Sequence, residues 1–311
     1  MSSLVSIYSG VSWNELFANN REIPFHDPAL AWVETPPEEF RRFLIGHRPL
    51  SFDGVPPDPD TYKRDVTYSV VQMHRLWVTT NTLRPHVPRD GLIVDLGAFP
   101  FVLEVLLREY IGFRGRIHAT VNLELKPEWL ADLAPYSVET AMLDMDPYVV
   151  DPSEPRLPQR LGLADSSADL VILAHVIEHL YHPMQLMREV QRVLKPGGKL
   201  LLSTDNAMML STLLNMCGMN EFVYEPVQQM APMAFHFWRG HNRFYTAADL
   251  SALLAAAGLR TVETRFFEVF YSSFSDEHFH RPAKTIPAWR ADILGKLPGY
   301  RNEVIVVAEK I

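Results

Sequence analysis

The chain is poor in the features that would move it out of the ordinary soluble class. Its 311 residues include one cysteine, Cys217, so no intrachain disulfide can form and a reducing, cytoplasmic setting is expected. Lys and Arg number 29 against 37 Asp and Glu, a formal net charge of −8. Without clustered cations to neutralise phosphates, duplex nucleic acid is excluded as a partner. No run approaches the roughly 18 apolar residues that a membrane span needs, so no membrane partner is expected. The opening MSSLVSIYSGVSWNELF lacks a basic n-region, and polar residues interrupt its apolar stretch; no signal peptide is expected. Internal repeats and low-complexity tracts are also missing. What remains is a chain that is 47% hydrophobic, enough for one large core with a cap.

Organisation changes near residue 90. Residues 1–90 read as a cap: proline and aromatic residues crowd 1–60, and 62–84 has the apolar spacing of one helix. From Gly91 to residue 311, short apolar runs alternate with helical patterns. Strands are expected at LIVDL (92–96), RIHATVNLE (116–124), SVETAMLD (137–144), ADLVILA and KLLLSTD. TVETRFFEVFY and RNEVIVVAEKI supply two more. The pattern implies a doubly wound α/β fold with a mostly parallel sheet. Two insertions, 207–240 and 272–300, interrupt it. Thr246 is placed to cap the helix of AADLSALLAAAGL and Gly258 to end it. Lys195-Pro-Gly-Gly should stop the preceding helix, with Lys195 complementing the helix dipole.

Three strand ends carry candidate ligand contacts. Gly97 follows a buried strand directly and precedes a helix, where a backbone can approach a ligand closely. Taken alone this is weak, because Ala98, Phe99, Pro100 and Phe101 stand where a dinucleotide fingerprint has further glycines. Glu124 supplies a carboxylate suited to ribose hydroxyls, and Asp144 one suited to an exocyclic amine.

Residues 91–268 resemble the class I S-adenosylmethionine-dependent methyltransferases. VDLGAFP is similar to their first motif, LADSSADLVILAHVIEHL to their fourth-strand segment, and LKPGGKLLLSTDN to the helix stop and following strand. GHNRFYTAADLSALLAAAGL is similar to their late helix entry. The resemblance implies S-adenosylmethionine as cofactor and a Rossmann-like seven-stranded sheet. It implies that Asp95, Gly97, Ala98 and Phe99 surround the methionine moiety and that Glu124 binds ribose. Asp144 and Met145 would border adenine, and Ala174 and His175 would line the methyl-donor side. Two positions depart from the pattern: Phe101 replaces the last motif glycine, and Asp205 replaces the proline of the usual TPN. The Phe101 ring is expected to pack beneath the helix that follows it.

His175-Val-Ile-Glu178-His179 spells H-x-x-E-H, as in inverted zinc proteases, but those need the motif within a helix, whereas His175 ends a strand here. A metal-free loop held by hydrogen bonds is the main reading. The alternative is a divalent metal at His175, Glu178 and His179, of the zinc class, with His236 or His241 as a fourth ligand. A proton-accepting base is sought among His179, His236 and His241. The expected activity is methyl transfer to O or N of a small metabolite, in natural-product or saccharide tailoring. The rivals are a non-catalytic binding protein of this fold and a metal-assisted O-methyltransferase on a hydroxylated nucleotide, phenol or sugar. The partner is a small-molecule acceptor, and a homodimer is compatible with the sequence.

Overall fold

The structure is a computed structural model that describes residues 21–24, 27–46, 72–122, 124–145, 160–218, 241–269 and 285–311. Its centre is a seven-stranded sheet of β2 (Leu92–Leu96), β3 (Arg116–Val121), β4 (Val138–Met142), β5 (Ala168–Ala174), β6 (Leu194–Asp205), β7 (Leu259–Phe267) and β9 (Glu303–Lys310). The strand order is β4-β3-β2-β5-β6-β9-β7, and β9 runs antiparallel to both of its neighbours. The other pairings are parallel. The order reverses between β2 and β5, which is where an open α/β sheet leaves a crevice at its carboxyl edge.

Each central strand is buried on both faces, so the alternation of neighbouring residues sends side chains into two cores. Val94, Leu96, Val171, Leu173, Leu200 and Leu202 pack against α5 (Pro183–Val193) and α7 (Ala247–Ala256). Ile93, Ile117, Leu170, Ile172 and Leu201 face Val78 and Leu83 of α2 (Met73–Leu83), with Leu107 beside them. Leu186, Met187, Val190 and Val193 are the inner stripe of α5, at helical spacing. Thr246 caps α7 through a reciprocal box with Asp249, and Gly258 follows the helix at φ +80°.

Several sequence expectations shift in detail. The second strand stops at Val121, so Glu124 lies beyond it and is exposed. The third stops at Met142, leaving Asp144 in the following loop. The helix after Gly97 is a single α-turn, α3 (Val102–Val105), continued by wider π-type turns over Leu106–Ile111. The chain passes straight from Val193 into β6, and the Lys195 ammonium meets Asp169 at 2.7 Å, just below the N-terminal edge of the sheet.

Described residues from 1–90 and from 272–300 meet. β1 (Glu22–Pro24) pairs antiparallel with β8 (Thr285–Pro287), and Ile23, Leu30, Ile286 and Ala291 share a small core. Ala291 belongs to α8 (Ala288–Lys296). Of the first insertion, α6 (Leu210–Gly218) is described; His236 lies outside the described residues, as do His278 and His280. No helix among the described residues is long and apolar enough to cross a membrane.

Candidate active site

The turn after β2 is shaped by its backbone. Gly97 has φ +79°, and a Cβ there would stand 2.5 Å from Val176 Cγ2, so a side chain is excluded on two grounds. The amides of Gly97 and Ala98 both donate to the Thr120 carbonyl at 3.0 Å, which ties the turn to β3. Phe101 stands at φ 64° and ψ 26°, a left-handed conformation that glycine adopts freely and phenylalanine does not. Its ring is buried against Ala98, Ala119, Val121, Trp129 and Leu133. The expected packing role is therefore right and the partner is different: the ring lies under α4 (Pro127–Leu133), the helix after β3.

Asp95, Gly97, Ala98, Phe99, Ala174 and His175 line one cleft of about 60 Å³, so residues that are 80 positions apart at the ends of β2 and β5 are brought together. Arg75, Leu76 and Thr79 of α2 form its other wall. A larger concavity of about 670 Å³ opens at the opposite end of the strands. Three of the cations there are already engaged: Arg108 donates to four backbone carbonyls, Arg116 grips Glu139, and Lys195 meets Asp169. The carboxyl edge of the sheet, where open α/β folds hold ligands, is the better site despite its smaller volume.

Beneath the cleft, Asp95 meets Glu104 of α3, both almost fully buried. Two carboxyl groups form a hydrogen bond only if one keeps its proton. Burial raises Asp95 to about 7 against the lowering effect of Glu104 and the Leu96 amide. Burial and then the charge of Asp95 lift Glu104 well above the usual carboxylate range. Because both folded pKa values are raised, this pair costs no stability below the unfolded carboxylate range near pH ~4. It costs progressively more as pH rises through about 7. Glu104→Gln keeps a donor for Asp95 and removes the like charge. Its melting temperature should gain on the wild type as pH rises from ~5 to ~8; parallel pH curves for the two proteins would refute the shared proton.

At the end of β5 the chain turns sharply: His175 has φ 54°, and Ile177–His179 form one 3-10 turn before α5 begins at Pro183. This confirms the strand-end placement on which the protease spelling was rejected. His175 Nδ1 lies 3.2 Å from Glu178 Oε1, and its Nε2 lies 3.1 Å from Glu303 Oε2 on β9. Thr204 donates to the other Glu178 oxygen at 2.9 Å. Burial, and after it the charge of Arg75, push His175 downward, but the charges and contacts of Glu303 and Glu178 outweigh them and hold it at about 9. Burial likewise pushes Glu178 upward, and His175, with help from His179 and His241, brings it down to about 2.

The segment 241–243 clamps this loop. The amides of Asn242 and Arg243 donate to the Glu178 carbonyl, and the Asn242 side chain donates to the His179 carbonyl at 2.7 Å. The His241 ring meets His179 edge-on at 4.9 Å, and its Nδ1 is 3.0 Å from Asp205 Oδ2. Asp205, which departs from the family pattern, is thereby the partner of His241. Six side chains, three imidazoles and three carboxylates, gather at the ends of β5, β6 and β9. They sort into two candidate ligand sets: Glu178 with His179 and His241, and His175 with Asp205 and Glu303. The alternative trio His175, Glu178 and His179 falls across both sets, and His175 bridges Glu178 and Glu303 through its two nitrogens.

The remaining candidates are placed less centrally. Glu124 is exposed, Asp144 is half-buried, and Met145 is buried with its methyl 3.7 Å from where a Gly97 Cβ would be. Arg75, Glu104 and Glu303 were missed by sequence reasoning. Glu104 had a signal, an acid within the apolar run VLEVLL; Arg75 and Glu303 had none, since only the fold brings α2 and β9 to this edge.

Residues 123–264 match a methyltransferase domain model. Over 104 residues the chain is 35% identical to a probable S-adenosylmethionine-dependent methyltransferase of Mycolicibacterium smegmatis, 33% of either chain. Over these stretches the chain is similar to the class I S-adenosylmethionine-dependent methyltransferases. It is also 31% identical over 109 residues to a ubiquinone biosynthesis O-methyltransferase of Ruegeria pomeroyi, covering 35% of this chain and 41% of the relative. Over 174 residues it is 28% identical to the Cereibacter sphaeroides protein of the same name, covering 55% and 66%. The alignments thus span a third to two-fifths of the first two relatives' lengths. The methyltransferase family implies S-adenosylmethionine, and the cleft fits it. Gly97 lines the cleft without a side chain, the buried Asp95 Oδ2 receives no N–H among the described residues, and Arg75 supplies a cation.

Proposed function

We propose that this chain transfers the S-methyl group of S-adenosylmethionine to an oxygen or nitrogen atom of a small metabolite, in natural-product or saccharide tailoring. The observation that carries the reading is the single cleft shared by the Gly97 turn and the Ala174–His175 strand end. The cofactor, when bound, supplies an electrophilic methyl on a sulfonium. The protein's part is to align the acceptor with that methyl and to exclude water. Asp95, carrying the negative charge of its pair with Glu104, suits the cofactor's ammonium, and Arg75 suits its carboxylate. Glu124 is assigned to the ribose hydroxyls, with Asp144 and Met145 at the adenine. His179 and His241 are the proton acceptors at the acceptor side, with the Asp205 carboxylate 3.0 Å from His241 Nδ1. Incubation with S-[methyl-³H]adenosylmethionine and panels of phenols, sugars and amines tests the activity. Labelled product from at least one hydroxylated or amino acceptor is expected, and inert behaviour across all panels by protein that binds the cofactor would favour the non-catalytic reading.

Arg75 gives a sharper result. S-adenosylhomocysteine carries the carboxylate and methylthioadenosine does not, so Arg75→Gln should weaken the first by ~10-fold or more and leave the second nearly unchanged. Equal losses for both ligands in titration calorimetry would remove Arg75 from the carboxylate.

A second reading rests on Glu178, His179 and His241, whose ligand atoms lie within 4.8 Å of one another. A divalent ion held there would suit an oxygen acceptor, and two of the relatives are named as O-methyltransferases. Turnover that survives chelation, with no metal in elemental analysis, would leave the base mechanism alone.

A further inference from the structure

The His175 ring meets Glu178 through Nδ1, and its Nε2 reaches toward carboxylates on two other strands. Asp205 ends β6 and Glu303 begins β9, and the two are direct partners in the antiparallel ladder. They are 9% and 1% exposed. Like charges directly opposite one another destabilise a sheet, and more so away from water, so this pair requires positive charge close by. One ligand atom from each of His175, Asp205 and Glu303 lies within 4.8 Å of the others.

The contacts have the distances of hydrogen bonds without their directions. His175 Nε2 stands 3.1 Å from Glu303 Oε2, and Asp205 Oδ2 stands 3.0 Å from His241 Nδ1. Yet neither His175 Nε2 nor Asp205 Oδ2 has a partner in hydrogen-bond geometry, and both atoms are buried. Buried polar atoms that lie this close to one another and are left unsatisfied are open to a shared cation. With zinc–ligand bonds of ~2.0–2.2 Å, tetrahedral geometry puts ligand atoms ~3.3–3.5 Å apart; His175 Nε2 and Glu303 Oε2 are 3.1 Å apart, and the whole set lies within 4.8 Å.

We propose that His175, Asp205 and Glu303 form a divalent-cation site of the zinc class, adjoining but separate from Glu178, His179 and His241. One imidazole and two carboxylates suit zinc or manganese. Three protein ligands leave a fourth position open, and His175 also lines the cofactor cleft, so the ion would border the space where an acceptor oxygen is placed. The ion would replace the proton that His175 otherwise shares with its carboxylates, so loading is done in mildly alkaline buffer. The site does not depend on the methyl-transfer reading, because metal binding is read without cofactor or acceptor.

The test is zinc soaked into crystals of the full chain, with anomalous difference maps at the zinc edge, alongside the zinc content of desalted protein in solution. An anomalous peak among His175, Asp205 and Glu303 is expected. Glu303→Gln should lose one equivalent of zinc that His179→Ala retains. No peak, a peak only among Glu178, His179 and His241, or unchanged zinc content in Glu303→Gln overturns the proposal. If Glu303→Gln fails to fold, the map of the wild-type protein decides alone.

Discussion

Glu178→Ala is expected to destabilise the chain by ~3–5 kcal/mol, among the largest losses of any single substitution at the site. The loss comes from what stays behind. The His175 imidazolium would keep Glu303 but lose Glu178, in an interior where an incompletely compensated charge is costly, and the Thr204 hydroxyl would lose its acceptor. The pH dependence has a definite sign. His175 is held at about 9 against an ordinary 6.5, so its contribution is complete below 6.5 and is lost as pH rises through about 9. Glu178 is held at about 2 against an ordinary 4.5, so its contribution is present above 4.5 and fades toward about 2. The wild-type advantage over Glu178→Ala should therefore be greatest between those ordinary values and shrink in alkali. Urea midpoints for both proteins across the pH range check this; a loss under ~1 kcal/mol, or one that grows above pH ~9, would contradict the buried ion pair. Glu178→Gln, which keeps an acceptor for Thr204, should fall between them.

The second large effect is at Phe101, and its distinguishing feature is an order. Removing a fully buried phenyl ring costs ~3–5 kcal/mol. Alanine left at φ 64° still bears the left-handed penalty of ~1–2 kcal/mol, whereas glycine does not. Phe101→Gly should therefore be more stable than Phe101→Ala by ~1 kcal/mol, the reverse of the usual ranking within helices and strands. Denaturant unfolding of the three proteins gives the order directly. An alanine variant as stable as the glycine variant would mean that the turn relaxes out of the left-handed region. The substitution at this position thus trades backbone ease for a ring that anchors the turn to β3 and α4.

The sheet and its site were legible to different depths, for physical reasons. Strands such as LIVDL and ADLVILA are buried on both faces and read as continuous apolar runs between turn residues, so their positions and the parallel topology followed from pattern. Gly97 was legible because its place after a buried strand leaves little else for it to do. Thr246 and Gly258 were legible as helix punctuation. Strand ends were less so: Glu124 and Asp144 continue polar-tolerant segments, and only backbone pairing shows that β3 and β4 stop before them. The HVIEH cluster was legible in part. Its spacing suggested neighbours that hold one loop, and His175 does meet Glu178, but the other nitrogen of that imidazole reaches across the sheet to Glu303. Local sequence carries no trace of that partner, 128 positions away. Asp205 shows the converse. It was visible as a departure from the family pattern, and the structure supplies the reason in His241.

The central claim is that the carboxyl edge between β2 and β5 binds S-adenosylmethionine through Asp95, the Gly97 turn and Arg75. Titration calorimetry of the intact protein with S-adenosylhomocysteine tests it most directly, because the product analogue needs no acceptor and no turnover. The account predicts saturable binding at one site per chain, abolished by Gly97→Val, whose side chain would meet Val176, and retained in a conservative surface variant such as Lys296→Gln. No binding heat at concentrations that saturate ordinary cofactor sites, or binding that Gly97→Val leaves intact, would contradict it.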